Sequence, residues 1–133
     1  MTVSVHQAYA RHVERRAARD WRGLADCFAE EARYFDPLFG WYDGREAIRD
    51  FLEGAMKGLA DREFTDVWHV VDGDRLVLYW RCGPPGETPP ESGERLYHGM
   101  SALRLGDEGL WLEQMDIYDR DQARSSRGRA GDR

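Results

Sequence analysis

"RDWRGLADCFAEEARYFDPLFGWYDGREAIRDFL", residues 19–52, changes its structural period twice. Asp20 can cap a short helix whose inward face carries Trp21, Leu24, Cys27 and Phe28. "ARYF" then reads as extended chain, and Pro37 denies Asp36 the helical region, pushing it into β or polyproline space. Gly40 and the "YDG" that follows mark turns. Over 45–59 the helical period returns, with Ile48, Phe51, Leu52, Met56 and Leu59 as its stripe. The same stretch sets a carboxylate, Asp36, among Tyr34, Phe35, Phe39, Trp41 and Tyr42. An apolar pocket disfavours the ionised form and lifts the pKa toward working pH, which suits a general acid or base. An aspartate before proline equally suits a turn cap that accepts local backbone N–H groups.

Upstream, residues 4–19 predict a helix capped by Ser4, with Val5, Tyr9, His12, Val13 and Ala17 on one face. Arg16 falls near that stripe, and its stem is long enough to reach water. Downstream the period becomes two. "FTDVWHVV", "DGD" and "RLVLYWRC" spell a strand, a tight turn and a strand. A Pro/Gly/Glu loop follows, then a second hairpin, "RLYHGMSALRL", "GDEG" and "LWLEQMDIYD". The expected fold is α+β, with three N-terminal helices on one curved, mainly antiparallel sheet. Such a sheet wrapped by helices makes a cone, and side chains too few to fill it leave an internal pocket. Residues 1–120 form the single domain, and 121–133 a disordered basic tail with no apolar residue larger than Ala.

The 133 residues suffice for one domain, and 12% aromatic content points to an aromatic core or pocket. Net charge is −6, and residues 120–133 carry five Arg and two Asp (+3), leaving −9 on the body. An acidic body argues against nucleic acid and anionic membrane as partners. No apolar run reaches transmembrane length, and Cys27 and Cys82 stand in no metal or redox spacing. These features predict a cytoplasmic protein with reduced cysteines.

Three side chains carry the chemistry candidates. Asp36 is the first. Asp116 is the second: along β-alternation Leu110, Leu112, Gln114, Asp116 and Tyr118 share a face, while Trp111, Glu113, Met115 and Ile117 share the other. A carboxylate on each face in mid-strand means one of them meets something polar. His12 is the third, a pocket donor or proton shuttle, or equally a satisfied core histidine. Pocket lining is assigned to Tyr9, Trp21, Phe39, Trp41 and Leu78, and to Trp80, Tyr97, Ser101, Gln114 and Tyr118. No metal-ligand spacing, nucleotide loop or nucleophile elbow occurs, so neither metal nor cofactor is expected.

The pattern from Asp20 to Ala32, the Asp36–Pro37 strand end, Gly44 to Ile48, and the closing "MSALRLGDEGLWLEQMDIYD" resemble the SnoaL-like members of the nuclear transport factor 2-like superfamily over about residues 5–119. The resemblance implies a cone-shaped, cystatin-like α+β fold. It implies that Asp36 corresponds to the proton-transfer base of ketosteroid isomerases and a pocket acid of polyketide cyclases. Asp116 corresponds to the last-strand aspartate of SnoaL-type cyclases and of limonene epoxide hydrolase-like members. His12 and Ser101 stand where the isomerases carry an oxyanion hole, and Tyr79, Trp80 and Arg81 do not reproduce the epoxide hydrolase relay. A cyclase- or isomerase-like site of Asp36, Asp116 and His12 fits best. It would perform cofactor-free acid–base chemistry on an apolar small molecule. The alternative is a non-catalytic ligand-binding or protein-interaction module of the same fold. Trp111, Met115 and Ile117 on the outer sheet face predict a homodimer through the sheet.

Overall fold

The computed structural model describes residues 3–84 and 97–124. Helix α1, Val5–Ala17, starts at a capping box in which Ser4 and Gln7 satisfy each other's backbone N–H. Its inward face is Val5, Ala8 and His12. Asp20 caps α2, Trp21–Ala25, by accepting from the Gly23 N–H. Phe28, expected on this helix, instead opens strand β1, Phe28–Asp36, and is wholly buried there. Burial of such a side chain stabilises by about 1.5–3 kcal/mol.

Strand β2, Gly40–Asp43, pairs antiparallel with β1 where the sequence suggested only turns. Gly40 adopts φ 92°, a left-handed conformation that lets the chain reverse between the two strands. Helix α3 runs Arg45–Lys57 with Ile48 and Leu52 buried. Strands β3 (Glu63–Asp72), β4 (Arg75–Gly83), β5 (Tyr97–Leu105) and β6 (Trp111–Tyr118) form the expected antiparallel meander. The six strands make one curved sheet in the order β2-β1-β6-β5-β4-β3, with β1 and β6 parallel. The Pro/Gly/Glu loop lies largely outside the described residues.

A fourth helix, over 120–124, follows β6. Asp119 starts it by accepting from the Gln122 N–H, and Ala123 is wholly buried in the core cluster. Residues 121–124, read from the sequence as the start of the tail, are helical here. Small size, rather than large apolar area, lets Ala123 pack there. The remainder of the tail, 125–133, lies outside the described residues.

The register corrects a second expectation. A bulge lies between Arg104 and Leu105, so that Leu105 pairs with Trp111 while Arg104 pairs with Glu113. The extra residue shifts the alternation, and Trp111 turns inward with zero exposure. Met115 and Ile117 keep the outer face, as expected.

Candidate functional site

The inward residues of β1, β3, β4, β5 and β6 face α1, α2 and α3 across a cavity of about 460 Å³. That size falls within the ordinary range of small-molecule sites, roughly 300–1,000 Å³. The two walls differ in chemistry. Helices α2 and α3 supply Trp21, Leu24, Phe51 and Met56. The sheet supplies Tyr34, Asp36, Ser101, Gln114, Asp116 and Tyr118, and α1 adds His12 and Arg16.

Asp116 is at the centre of the polar wall. It is buried, at 8% exposure, and among the described residues its hydrogen-bond partners are neutral side chains. Ser101 donates to Oδ1 at 2.7 Å, Gln114 Nε2 donates to the same oxygen at 2.9 Å, and the Tyr34 hydroxyl donates to Oδ2. Burial pushes its pKa upward, against the three donors, and the charge of Asp36 adds to the rise. Tyr34 rises well above the usual tyrosine value, first through burial and then through Asp116, and stays neutral. Ser101 in turn accepts from Trp80 Nε1 at 2.9 Å.

Asp36 is also buried, yet its partners are of another kind. Oδ2 accepts the backbone N–H of Leu38 at 2.9 Å and of Phe39 at 3.2 Å. Tyr118 donates its hydroxyl to Oδ1 at 2.9 Å. The turn-cap geometry and the cavity position therefore coexist at one residue. Phe39, 54% exposed, marks this side as the cavity mouth.

His12 sits 3% exposed between Arg16 and Gln114. Arg16 Nε donates to Nδ1 at 2.9 Å, and Nε2 lies 3.1 Å from Gln114 Oε1. Burial, then the Arg16 charge, press its pKa down to about 3, so the ring is neutral at ordinary pH. Both nitrogens of this neutral ring are therefore engaged.

Arg16 is expected to reach water with its stem, and it remains only partly exposed. It folds inward to a bidentate pair with Asp66, at 2.9 and 2.6 Å, and Tyr9 donates to the same carboxylate. Asp66 is held below its usual value: burial alone would raise it, and the Arg16 hydrogen bonds and charge outweigh burial. Tyr9 itself is not part of the cavity lining. Trp41 also leaves it, because β2 turns its ring outward onto Phe35 and under the Arg33 guanidinium, 4.0 Å away. Trp21, Phe39, Leu78, Trp80, Tyr97, Ser101, Gln114 and Tyr118 line the cavity.

Arg16, Asp66 and Tyr34 were missed as site residues. Arg16 carried a signal, a cation near the apolar stripe of a helix, whereas Asp66 lies fifty positions from it in the chain. Among the described residues no group of three or more His, Cys, Asp or Glu is placed to hold a metal ion.

Residues 9–114 match the family model of the SnoaL-like domain. No curated protein matches the chain. Among solved structures, a proposed SnoaL-like polyketide cyclase from Shewanella putrefaciens aligns with TM-score 0.70 and 19% identity, covering 89% of this chain and 81% of that one. A proposed isomerase of the SnoaL-like family from Agrobacterium tumefaciens aligns with TM-score 0.65 and 22% identity, covering 86% and 94%. TerC, co-crystallised with polyporic acid, aligns with TM-score 0.69 and 18% identity, covering 86% and 91%. At these identities the likeness is one of fold.

Proposed function

Because the chain belongs to the SnoaL-like domain family, we propose that it is a small cofactor-independent enzyme performing acid–base chemistry on an apolar molecule held in the cavity. Isomerisation, cyclisation and hydration are the reaction types that need no more than a positioned proton carrier. The observation that carries this reading is Asp116, a buried carboxylate held by neutral donors among the described residues and facing an aromatic-lined space. The polyketide cyclase and isomerase descriptions of its fold neighbours support the same class.

Asp116 takes a proton from a carbon or hydroxyl of the substrate and returns it at a second position. Its pKa, raised by burial, brings the carboxylate's basicity closer to that task. Neutral Tyr34 and Ser101 donate their hydroxyl protons to Asp116 and so hold the carboxylate in place. Asp36 shapes the mouth, and its charge adds to the rise at Asp116. A binding module without turnover is the second reading, and Asp36 favours it, since two of its partners are the backbone N–H groups of Leu38 and Phe39, which tie it to the turn. Assay of cyclisable and isomerisable apolar substrates with wild type and Asp116→Asn separates the two. The enzyme reading expects turnover that collapses in the variant while binding persists; binding with no turnover in wild type establishes the module.

The outer sheet face is proposed to pair with a second copy. Two apolar rows cross it, Trp68–Tyr79–Met100–Ile117 and Val70–Val77–Ala102–Met115–Phe35–Trp41. Trp68, Val70 and Ile117 are 46%, 58% and 55% exposed. A two-fold contact lets one such patch cover its own copy. Light scattering should give a dimer for wild type and a monomer for Ile117→Arg; a wild-type monomer at micromolar concentration sinks the idea.

A further inference from the structure

We propose that Arg16 is a positioning residue that acts through His12 and Gln114 to set Asp116 as a hydrogen-bond acceptor. The proposal rests on the reading of Asp116 as the proton carrier. Its warrant is the direction of the hydrogen bonds along the polar wall.

Most groups in this wall are ambiguous. Either nitrogen of His12 can carry the proton, Gln114 can present oxygen or nitrogen to a neighbour, and a hydroxyl can donate or accept. Arg16 is not ambiguous, because a guanidinium only donates and stays charged. Its Nε–H faces His12 Nδ1 at 2.9 Å, so Nδ1 must accept. A neutral ring then carries its proton on Nε2, which donates to Gln114 Oε1 at 3.1 Å. The Gln114 amide is thereby oriented with its nitrogen toward Asp116, at 2.9 Å, and toward the Tyr34 hydroxyl, at 3.2 Å. Tyr34 accepts that N–H and sends its own proton to Asp116.

The other end of the wall is built alike. Trp80 Nε1 also only donates, so Ser101 Oγ accepts from it and turns its proton to Asp116. Two donor-only groups, Arg16 and Trp80, therefore drive every proton toward one carboxylate. Asp66 holds Arg16 with two hydrogen bonds and keeps the guanidinium where Nε meets the ring. Reversing the Gln114 amide would place its oxygen against Asp116 and force that carboxyl to become the donor. Among the described residues, the charged and titratable groups lining the cavity with Asp116 are His12 and Arg16 from α1, Arg19 beyond it, Tyr34 and Asp36 from β1, Glu63 and Asp66 from β3, Tyr97 from β5 and Tyr118 from β6.

Nuclear magnetic resonance of labelled protein tests this without a substrate. In wild type, His12 should show the Nε2–H tautomer and resist protonation down to about pH 3. In Arg16→Gln the fixed donor is lost, His12 should sample both tautomers, and the Asp116 carboxyl titration should move up by about one pH unit, the order of one lost charge-assisted hydrogen bond. Asp66→Asn leaves the Arg16 Nε–H in place and should keep the wild-type tautomer. A proton on Nδ1 in wild type overturns the proposal even if Arg16→Gln does not fold, and so does an unchanged Asp116 titration in that variant. Absence of turnover alongside the expected spectra would overturn the enzymatic reading and leave the positioning role standing.

Discussion

Asp36 and Asp116 are the same residue type in the same cavity wall, at 6% and 8% exposure, and each accepts a tyrosine hydroxyl. Their remaining partners divide them. Asp36 takes two backbone N–H groups, so it belongs to the turn that carries β1 into β2. Among the described residues Asp116 takes only side-chain donors, from Ser101, Gln114 and Tyr34, and no backbone group depends on it for a hydrogen bond. A buried carboxylate bonded to the chain is committed to the fold, and one assembled from side chains is free to serve chemistry.

The largest effect expected from this contrast is on rate. Asp116→Asn removes the proton carrier and should lower turnover by ~10²–10⁴, the usual contribution of a positioned acid–base group. Asp36→Asn keeps the turn and should lower it by far less. Steady-state kinetics on both variants check the ranking, and equal losses would erase the distinction between the two carboxylates.

The network behind Asp116 predicts a pH dependence of stability. The unfolded His12 protonates near 6.5, whereas the folded ring is held to about 3. Between those values the unfolded chain binds a proton that the folded chain refuses, so stability falls as pH falls, by about 1.4 kcal/mol per unit. Asp116 works in the opposite sense: its folded value is raised, so its contribution declines as pH climbs from the unfolded 3.8 toward that value. Asp66, held below 3.8, contributes stability that is lost only at still lower pH. Urea unfolding at pH 7 and pH 5 should therefore show wild type losing about 2 kcal/mol. His12→Gln should flatten that loss, and an identical slope in the variant would place the titrating group elsewhere.

The layout was legible because period and turn chemistry agree along most of the chain. Helices at 45–57 and the hairpin around Gly73 follow from residue spacing alone. Strand β2 was not legible, because its short "GWYD" is flanked by glycines at 40 and 44 that read as turns, and the left-handed backbone at both ends supports a strand only once β1 lies beside it. Trp111 was assigned to the wrong face because a bulge shifts alternation without a mark in the sequence. At the site, Gln114, Asp116 and Tyr118 were readable as one face of β6. The Arg16–Asp66 pair was not, since it joins α1 to β3 through tertiary packing alone. Asp36 stood between two readings because either role needs the same residue before Pro37.

The smallest effects belong to Asp36, and they decide how its oxygens are used. Asp36→Ala removes the acceptor of the Leu38 and Phe39 N–H groups and should cost ~0.5–2 kcal/mol, the range of a lost cap. Asp36→Asn is the finer test. Its carbonyl oxygen can replace Oδ2 under both N–H groups, and its amide can face Tyr118, whose hydroxyl would turn from donor to acceptor. What disappears is the charge on the acceptor, which makes these bonds stronger than neutral ones. Relief of a buried charge acts in the other direction. The two nearly offset, so Asn should be less costly than Ala, by about half or more of the Ala loss. Thermal unfolding of both variants at pH 7 measures this. If Asn proves as costly as Ala, the turn depends on the charge itself; if Ala costs nothing, Asp36 is not holding the turn, and its place beside Asp116 in the chemistry would have to be restored.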